Sequence, residues 1–360
     1  MIARSPNVAF PLAARLQSAS VSRCTGVALR LLERLMKRRV FLTLLGAATA
    51  WPFAASTQQP KLPVVGFLGS GSLESDAFRV AAIRQGLNES GYVEGRNVAF
   101  EYCWAEDHNE RLPTLAADLV RHEVAVIVLI GNTSVMAAKP ATATIPIIFA
   151  IGGDPIKLGL VASLNRPGGN ITGVSFLTDI LVAKQFEVLH ETVPKTALIG
   201  FLVSPTNPNA EPALKNVLAA AELVGQKMLI VQAHTDSELE AALATLAQQR
   251  AGALVVAADP FFTNRRDKLV EFAARQKIPT IYPLREFAVA GGLMSYGADI
   301  TEAGHLVGLY AGRILKGEKP AELPVQQSTK VVLIVNLKTA NALGLTVPPQ
   351  IVARADEVIE

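Results

Sequence analysis

The residues able to do chemistry sit in short polar clusters, each placed directly after an apolar run rich in Val, Ile and Leu. Gly69-Ser70-Gly71-Ser72 follows the first such run. Residues this small let backbone N–H groups and a helix N-terminus approach an anion such as a carboxylate; an ordinary tight turn uses the same residues. Gly131-Asn132-Thr133-Ser134 and Gly152-Gly153-Asp154-Pro155 follow later runs. Asp154 can accept a ligand ammonium, or it can cap a helix that begins at Pro155. Ser204-Pro205-Thr206-Asn207-Pro208-Asn209 and Asp259-Pro260-Phe261-Phe262 repeat the scheme further along, and Tyr282 stands just ahead of Arg285 and Glu286. Asn207 and Asn209 also suit turns and caps, Arg285 and Glu286 also suit a solvated ion pair, and Phe262 also suits core packing. Polar groups converging with aromatics, in a chain only 6% aromatic, make a small-molecule pocket.

Other chemistries lack their patterns. The five histidines (His108, His122, His190, His234 and His305) are scattered without metal-ligand spacing. No G-x-S-x-G elbow, P-loop or G-x-G-x-x-G occurs. Asp154, Asp259 and Glu286 are the acids available for acid/base work, and nothing in the sequence pairs them. The reading therefore assigns no catalytic residue, no metal and no cofactor. Of two cysteines, Cys24 lies in the leader and Cys103 ends an apolar run as a small buried hydrophobe, so no internal disulfide is expected after export.

The elements that must hold these clusters alternate. Strands are predicted at 64–68, 98–102, 124–129, 146–149, 172–174, 197–203, 227–231, 253–256, 279–282, 292–295 and 330–335. Most are short, continuous and rich in Val and Ile, as in parallel strands buried on both faces. Helices are predicted at 76–90, 109–121, 179–191, 209–224, 237–249, 261–276 and 300–315, with apolar residues at three- and four-residue steps. Asp76 and Ser237 are placed as N-caps, and Gly91, Gly225 and Gly317 as helix stops. Such alternation gives a doubly wound α/β fold. It occurs twice, and a chain of 360 residues suits two domains. A strand, a helix and an Ile-Pro-led strand recur at 126–149 and at 254–282. Ligands in open α/β sheets bind beyond the strand carboxyl ends, where the polar clusters lie.

Charge locates the front end. The chain has 34 Lys and Arg against 31 Asp and Glu. Eight of the cations and only one acid, Glu33, fall in residues 1–39, so the rest is slightly negative. The basic character is thus a leader and not a nucleic-acid surface. Lys37-Arg38-Arg39-Val40-Phe41-Leu42 opens an apolar run too short to span a membrane, followed by small residues around Ala54 and Ser56. This is a secretory signal at 36–56 with cleavage near Ser56, or less favourably near Ala48 and Ala50. Arg38-Arg39 before x-Phe-Leu matches the twin-arginine motif, with a general secretory signal as the alternative. Met36 is the expected start and 1–35 an upstream extension; an unusually long basic region is the alternative.

Several of these segments, taken in order, resemble the ABC-transporter substrate-binding protein family, whose relatives include tryptophan- and aromatic-amino-acid-binding proteins. They are Val65-Gly66-Phe67-Leu68-Gly69-Ser70, Gly91-Tyr92-Val93-Glu94-Gly95, Gly152-Gly153-Asp154-Pro155, Arg166-Pro167-Gly168-Gly169-Asn170-Ile171-Thr172-Gly173-Val174, Asn207-Pro208-Asn209, Ala258-Asp259-Pro260-Phe261-Phe262, Gly291-Gly292-Leu293-Met294-Ser295-Tyr296-Gly297 and Ile334-Val335-Asn336-Leu337-Lys338-Thr339-Ala340. The resemblance covers essentially all of 62–360. It implies a type I periplasmic-binding-protein fold, α/β with two doubly wound parallel-sheet lobes joined by a hinge. The N-terminal lobe is then 62–174 plus 290–320, and the C-terminal lobe 175–289 plus 321–360. Crossings are expected near 173–176, 285–292 and 321–327. By motif match Ser70, Gly71, Asn132, Thr133, Asp154, Asn207, Asp259, Tyr282 and Tyr296 face the crevice. The implied role is the periplasmic substrate-binding component of an ABC importer, trapping a small solute by hinge closure. An amino acid or related carboxylate suits the parts. The implied partners are that small-molecule ligand and an ABC permease and ATPase complex at the inner membrane, with a monomeric receptor and no nucleic acid. An exported enzyme or a ligand-sensor domain using the same cleft are the alternatives.

Overall fold

Thirteen strands among the described residues divide into two sheets, each buried by helices on both faces. The computed structural model describes residues 62–176 and 178–360. The secretory segment expected at 36–56 and the extension expected at 1–35 lie outside the described residues.

The chain first runs β1 (Val64–Gly69), α1 (Ala77–Glu89), β2 (Ala99–Trp104), α2 (Leu112–Arg121), β3 (Val126–Ile130), α3 (Asn132–Ala138), β4 (Ile147–Ile151) and β5 (Ile171–Ser175). It continues through α4 (Thr178–Thr192), β6 (Leu198–Val203), α5 (Ala210–Leu223), β7 (Lys227–Gln232), α6 (Asp236–Gln248), β8 (Ala253–Val256), α7 (Pro260–Asn264), α8 (Arg266–Gln276), β9 (Thr280–Tyr282) and α9 (Arg285–Val289). It ends with β10 (Met294–Ala298), α10 (Ile300–Leu315), β11 (Gln326–Gln327), β12 (Val331–Asn336), α11 (Leu337–Leu343), α12 (Pro349–Arg354) and β13 (Glu357–Ile359).

The first sheet has the order β11-β5-β4-β3-β1-β2 and is parallel throughout. The second has the order β13-β12-β10-β9-β8-β6-β7 and is parallel except where β10 meets β12. Continuous apolar sequence marks the inner strands. Every residue of β4 and β8 is buried, as helices on both faces require. In each sheet the winding reverses once, between β1 and β3 and between β6 and β8. Those are the switch points where a crevice opens beyond the strand ends.

The sheet pairing revises the lobe boundaries read from sequence. Strand β10 joins the second sheet, with Met294 opposite Ile281, although 290–320 was expected in the first lobe. Strand β11 joins the first sheet, with Gln326 opposite Val174, although 321–360 was expected in the second. Helix α10 does pack on the first lobe, against α1, β3, β4 and β5. The chain therefore passes between the sheets at 176–178, at Asp299 and at 328–330. The expected crossing at 285–292 holds α9 instead, which packs on β10 and β12 within the second lobe.

Glycine fixes how α10 docks. A Cβ on Gly308 would meet the Ile83 carbonyl oxygen at 2.1 Å, and one on Gly86 would meet the His305 carbonyl oxygen at 2.1 Å. The backbones of α1 and α10 touch because neither position carries a side chain. At the start of α6 the cap is Thr235, not Ser237. Its hydroxyl accepts from the Glu238 amide at 3.3 Å, and the Glu238 carboxylate accepts from the His234 amide at 2.9 Å. The helix expected over 261–276 breaks at Arg265 into α7 and α8.

Candidate ligand-binding cleft

Strands β1, β3, β6 and β8 flank the two switch points, and the residues just past their carboxyl ends meet around one cavity of about 70 Å³. Ser70, Asp76, Arg79, Ile130, Asn132 and Gly152 line it from the first lobe. Asn207, Asn209, Asp259, Thr263 and Leu284 line it from the second, and Phe176, Thr178 and Ile300 from the segments that join the lobes.

Local structure sets each group. Gly131, at φ +107°, turns the chain out of β3 so that Asn132 starts α3. Asn132 is buried; its Oδ1 accepts from the Gly153 amide at 3.2 Å, and its Nδ2 lies 3.5 Å from Asn207 Oδ1 across the crevice. In the second lobe Asp259 caps α7, with Oδ1 accepting from the Phe261 amide at 2.7 Å and Pro260 at the first helical position. Its other oxygen accepts from Asn207 Nδ2 at 2.7 Å. Burial pushes the Asp259 carboxyl up to about 6; Asn207, the Phe261 amide and Ser204 act against the rise, and the charge of Asp107 adds to it. Asn209 Nδ2 donates to Thr178 Oγ1 at 3.2 Å, tying the second lobe to the crossing segment.

The first lobe offers a different kind of charge. Asp76 stands at the N-cap of α1 but caps nothing; its carboxylate pairs with Arg79 Nη1. Both side chains are buried, and Arg79 Nε has no hydrogen-bond partner. Beyond the cavity the lobes are bridged again. Asp107 Oδ2 lies 3.1 Å from Arg265 Nη1, and its Oδ1 accepts from Asn264 Nδ2. Arg265 also lies over the Phe261 ring, 3.9 Å from its centroid, and pairs with Asp236 at 2.6 Å.

Four of the nine residues chosen from sequence, Ser70, Asn132, Asn207 and Asp259, line the cavity. Thr133 lines a smaller recess that shares Ser70 and Asp259 with it. Gly71 lies against Asn264, whose Nδ2 a Cβ would meet at 2.9 Å. The other three point elsewhere. Asp154 accepts from the amides of Ile156 at 2.9 Å and Lys157 at 3.3 Å, the capping role of an Asp ahead of a Pro. Tyr282 is fully buried inside the second lobe, stacked on Phe287 at 4.7 Å. Tyr296 packs against the second lobe's core, and its carbonyl accepts from Gln185 at 2.7 Å. Phe262 is core, and Arg285 pairs with Glu357 at 2.8 Å. Sequence reasoning passed over Asp76, Arg79, Phe176, Thr178 and Thr263. Only Asp76 carried a signal, as a helix cap.

No helix among the described residues is long and apolar enough to cross a membrane, and no group of His, Cys, Asp and Glu among them could hold a metal ion. The model of the family described as ABC transporter substrate binding protein matches residues 68–359. A tyrosine-binding protein of Clostridioides difficile (strain R20291) is 27% identical over 259 residues, 72% of this chain and 74% of that one. The crystal structure of a conserved domain protein from Vibrio cholerae is 27% identical, with a TM-score of 0.77, covering 83% of this chain and all of the other. The structure of an ABC domain in complex with L-Trp from Streptococcus pneumoniae is also 27% identical, with a TM-score of 0.76 and the same coverage. With two α/β sheets and an interlobe cavity at their switch points, the chain belongs to the ABC transporter substrate-binding protein family and has its two-lobed type I periplasmic-binding-protein fold.

Proposed function

We propose that this substrate-binding component takes an α-amino acid or a closely related small carboxylate, and hands it to an ABC permease and ATPase at the inner membrane. The observation that carries the reading is the mixed lining of the interlobe cavity. A buried guanidinium stands on one lobe, a desolvated carboxylate on the other, and Ile130, Phe176, Leu284 and Ile300 supply apolar wall. A zwitterion with an apolar side group presents the complementary set. Tyrosine and L-Trp, named for two relatives, support the class without fixing the member. Ligand favours the closed arrangement only by making better contacts there than in the open one, and groups from both lobes around one cavity provide that difference. The secretory segment at 36–56 makes the receptor periplasmic in this reading, with Ser56 near the cleavage point.

A thermal-shift panel of the protein amino acids, aromatic amines and organic acids tests the reading. Stabilisation by one or a few amino acids, rising with concentration as mass action requires, is the expected result. Mass spectrometry of what co-purifies checks that the protein starts unloaded. An unloaded, folded protein that none of the panel stabilises overturns the amino-acid assignment.

A further inference from the structure

Arg79 is only 7% exposed. Its guanidinium has two forks able to hold a carboxylate, and Asp76 engages Nη1 alone. Nε is buried without a partner, and Nη2 donates to no acceptor among the described residues. A buried, charged donor left unpaired is costly, and nothing in α1 requires it, since Arg79 pairs with Asp76 through the opposite side of the group. The unused fork belongs to a residue that lines the interlobe cavity. Arginine is the side chain whose planar geometry matches a carboxylate in two parallel hydrogen bonds. Asp76 keeps the guanidinium oriented and offsets its charge.

We propose that Arg79 is the carboxylate anchor of the ligand site, receiving the ligand's carboxylate on its Nε–Nη2 edge, with Asp76 as the positioning residue behind it. This rests on the amino-acid reading above and adds to it the group that the sequence did not reveal. The backbone amides of Ser70–Ser72, read from sequence as an anion cradle, are the competing anchor. Of these amides that of Ser72 is already engaged, donating to Ser75 Oγ at 3.0 Å, while the Ser70 and Gly71 carbonyls tie the loop to the amides of Asp107 and Glu106 at 2.8 and 3.0 Å.

Isothermal titration of the full-length protein with L-tyrosine, L-tryptophan and L-leucine, and with tyramine, tryptamine and 3-methylbutylamine, separates the possibilities. Each amine is its amino acid without the carboxylate. The wild type is expected to bind at least one amino acid tenfold or more tightly than the matching amine. The variant for comparison is D76N/R79Q, which removes both charges together so that no lone buried ion is left, and its folding is checked by circular dichroism and thermal melting. In it the amino acid is expected to fall to the level of the amine, whose own affinity stays within about threefold. A folded D76N/R79Q protein that keeps the tenfold preference overturns Arg79 as the anchor and leaves the amino-acid reading standing. So does a wild type that binds an amino acid no better than its amine. A wild type that binds none of the six, and that no member of the amino-acid and organic-acid panel stabilises, overturns the amino-acid reading and the anchor with it; where the panel selects another amino acid, that acid and its own decarboxylated amine take the place of the six. If D76N/R79Q does not fold, the single R79K variant decides: a point charge in place of a fork should lower amino-acid affinity several-fold with the amine unchanged, and equal affinity for the amino acid overturns the anchor.

Discussion

The two walls of the cleft carry opposite charge in opposite states of satisfaction. On the first lobe, Arg79 is paired through one nitrogen and leaves Nε orphaned. On the second, both Asp259 oxygens accept hydrogen bonds from the protein, one from Asn207 and one from the Phe261 amide. The difference is how each lobe resists losing water. Arg79 cannot discharge in a protein, so it must be paired or waits for an acceptor. Asp259 can discharge, and burial moves it toward doing so. One wall is a fixed charge and the other a titratable one.

The contrast breaks most sharply under truncation. Arg79→Ala should destabilise the protein by about 3–5 kcal/mol, because it strands Asp76 as a lone buried carboxylate. Asp259→Asn should cost less, about 1–2 kcal/mol, because it removes a charge that burial already disfavours but turns one accepting oxygen into an NH2 group facing an N–H donor. Urea denaturation of the two variants measures both. Equal losses would mean that the walls do not differ as described.

The same asymmetry reverses for ligand affinity. Asp259→Asn, though mild for folding, should weaken an ammonium-bearing ligand by about 10- to 100-fold at pH 7.5, the worth of a charge-assisted hydrogen bond in a desolvated site. Titration with the amino acid that most stabilises the wild type gives the number. An affinity within twofold of wild type would remove Asp259 from contact with the amine.

Asp259 also predicts the direction of a pH effect. An ammonium needs the ionised carboxylate, so affinity should be level above about pH 7 and fall as pH drops through about 6, by at most tenfold per unit below it. Stability of the unliganded protein runs the other way. The folded carboxyl holds its proton at a higher pH than the unfolded one, so this contribution is present at low pH and is lost as pH rises through about 6. Asp107 and the exposed His234 line the recess that Asp259 shares, so Asp259→Asn is the necessary control. Its affinity should be flat over pH 5–7.5 while the wild type changes by about tenfold. A slope that survives in the variant would take the titration away from Asp259.

What the sequence made legible follows from how each feature is encoded. Apolar runs such as Val-Ile-Val-Leu-Ile in β3 declare a buried strand by themselves. The strand ends declare a site because Gly-Asn and Asp-Pro suit turns, caps and ligand approach. Three features were written in other parts of the chain. Strand β11 is two exposed glutamines held by pairing with Val174 and Ser175, so no hydrophobic pattern marks it. Strand β10 reads plainly as a strand, but its neighbour is set by Ile281 and Tyr282, and composition does not name neighbours. Arg79 lies in the first turn of α1, where an arginine normally faces water. Its burial and its place on the interlobe cavity appear only in the assembled fold. Tyr282 erred the opposite way: an aromatic at a strand end is core when its strand is central and its ring stacks inward on Phe287.

The smallest expected effect concerns the bridge outside the cavity. Asp107 reaches from the first lobe to Arg265 and Asn264 in the second, and both side chains of the ion pair keep some exposure. Screening and the side-chain entropy of a partly solvated pair limit its worth to about 1 kcal/mol or less. Arg265 retains Asp236 and the Phe261 ring when Asp107 is lost, so its own placement survives. Asp107→Asn keeps the loop, where Asn tolerates the left-handed backbone found at this position, φ +63°, and removes only the charge. If the bridge stabilises the closed arrangement, the bound ligand should leave about two- to fivefold faster, with the association rate nearly unchanged. High salt should shrink the difference between variant and wild type, because screening weakens the same pair. Stopped-flow measurements at low and high salt read both quantities. A slower association with unchanged dissociation would instead place Asp107 in steering the ligand into the cleft, and would detach the bridge from the comparison between its two walls.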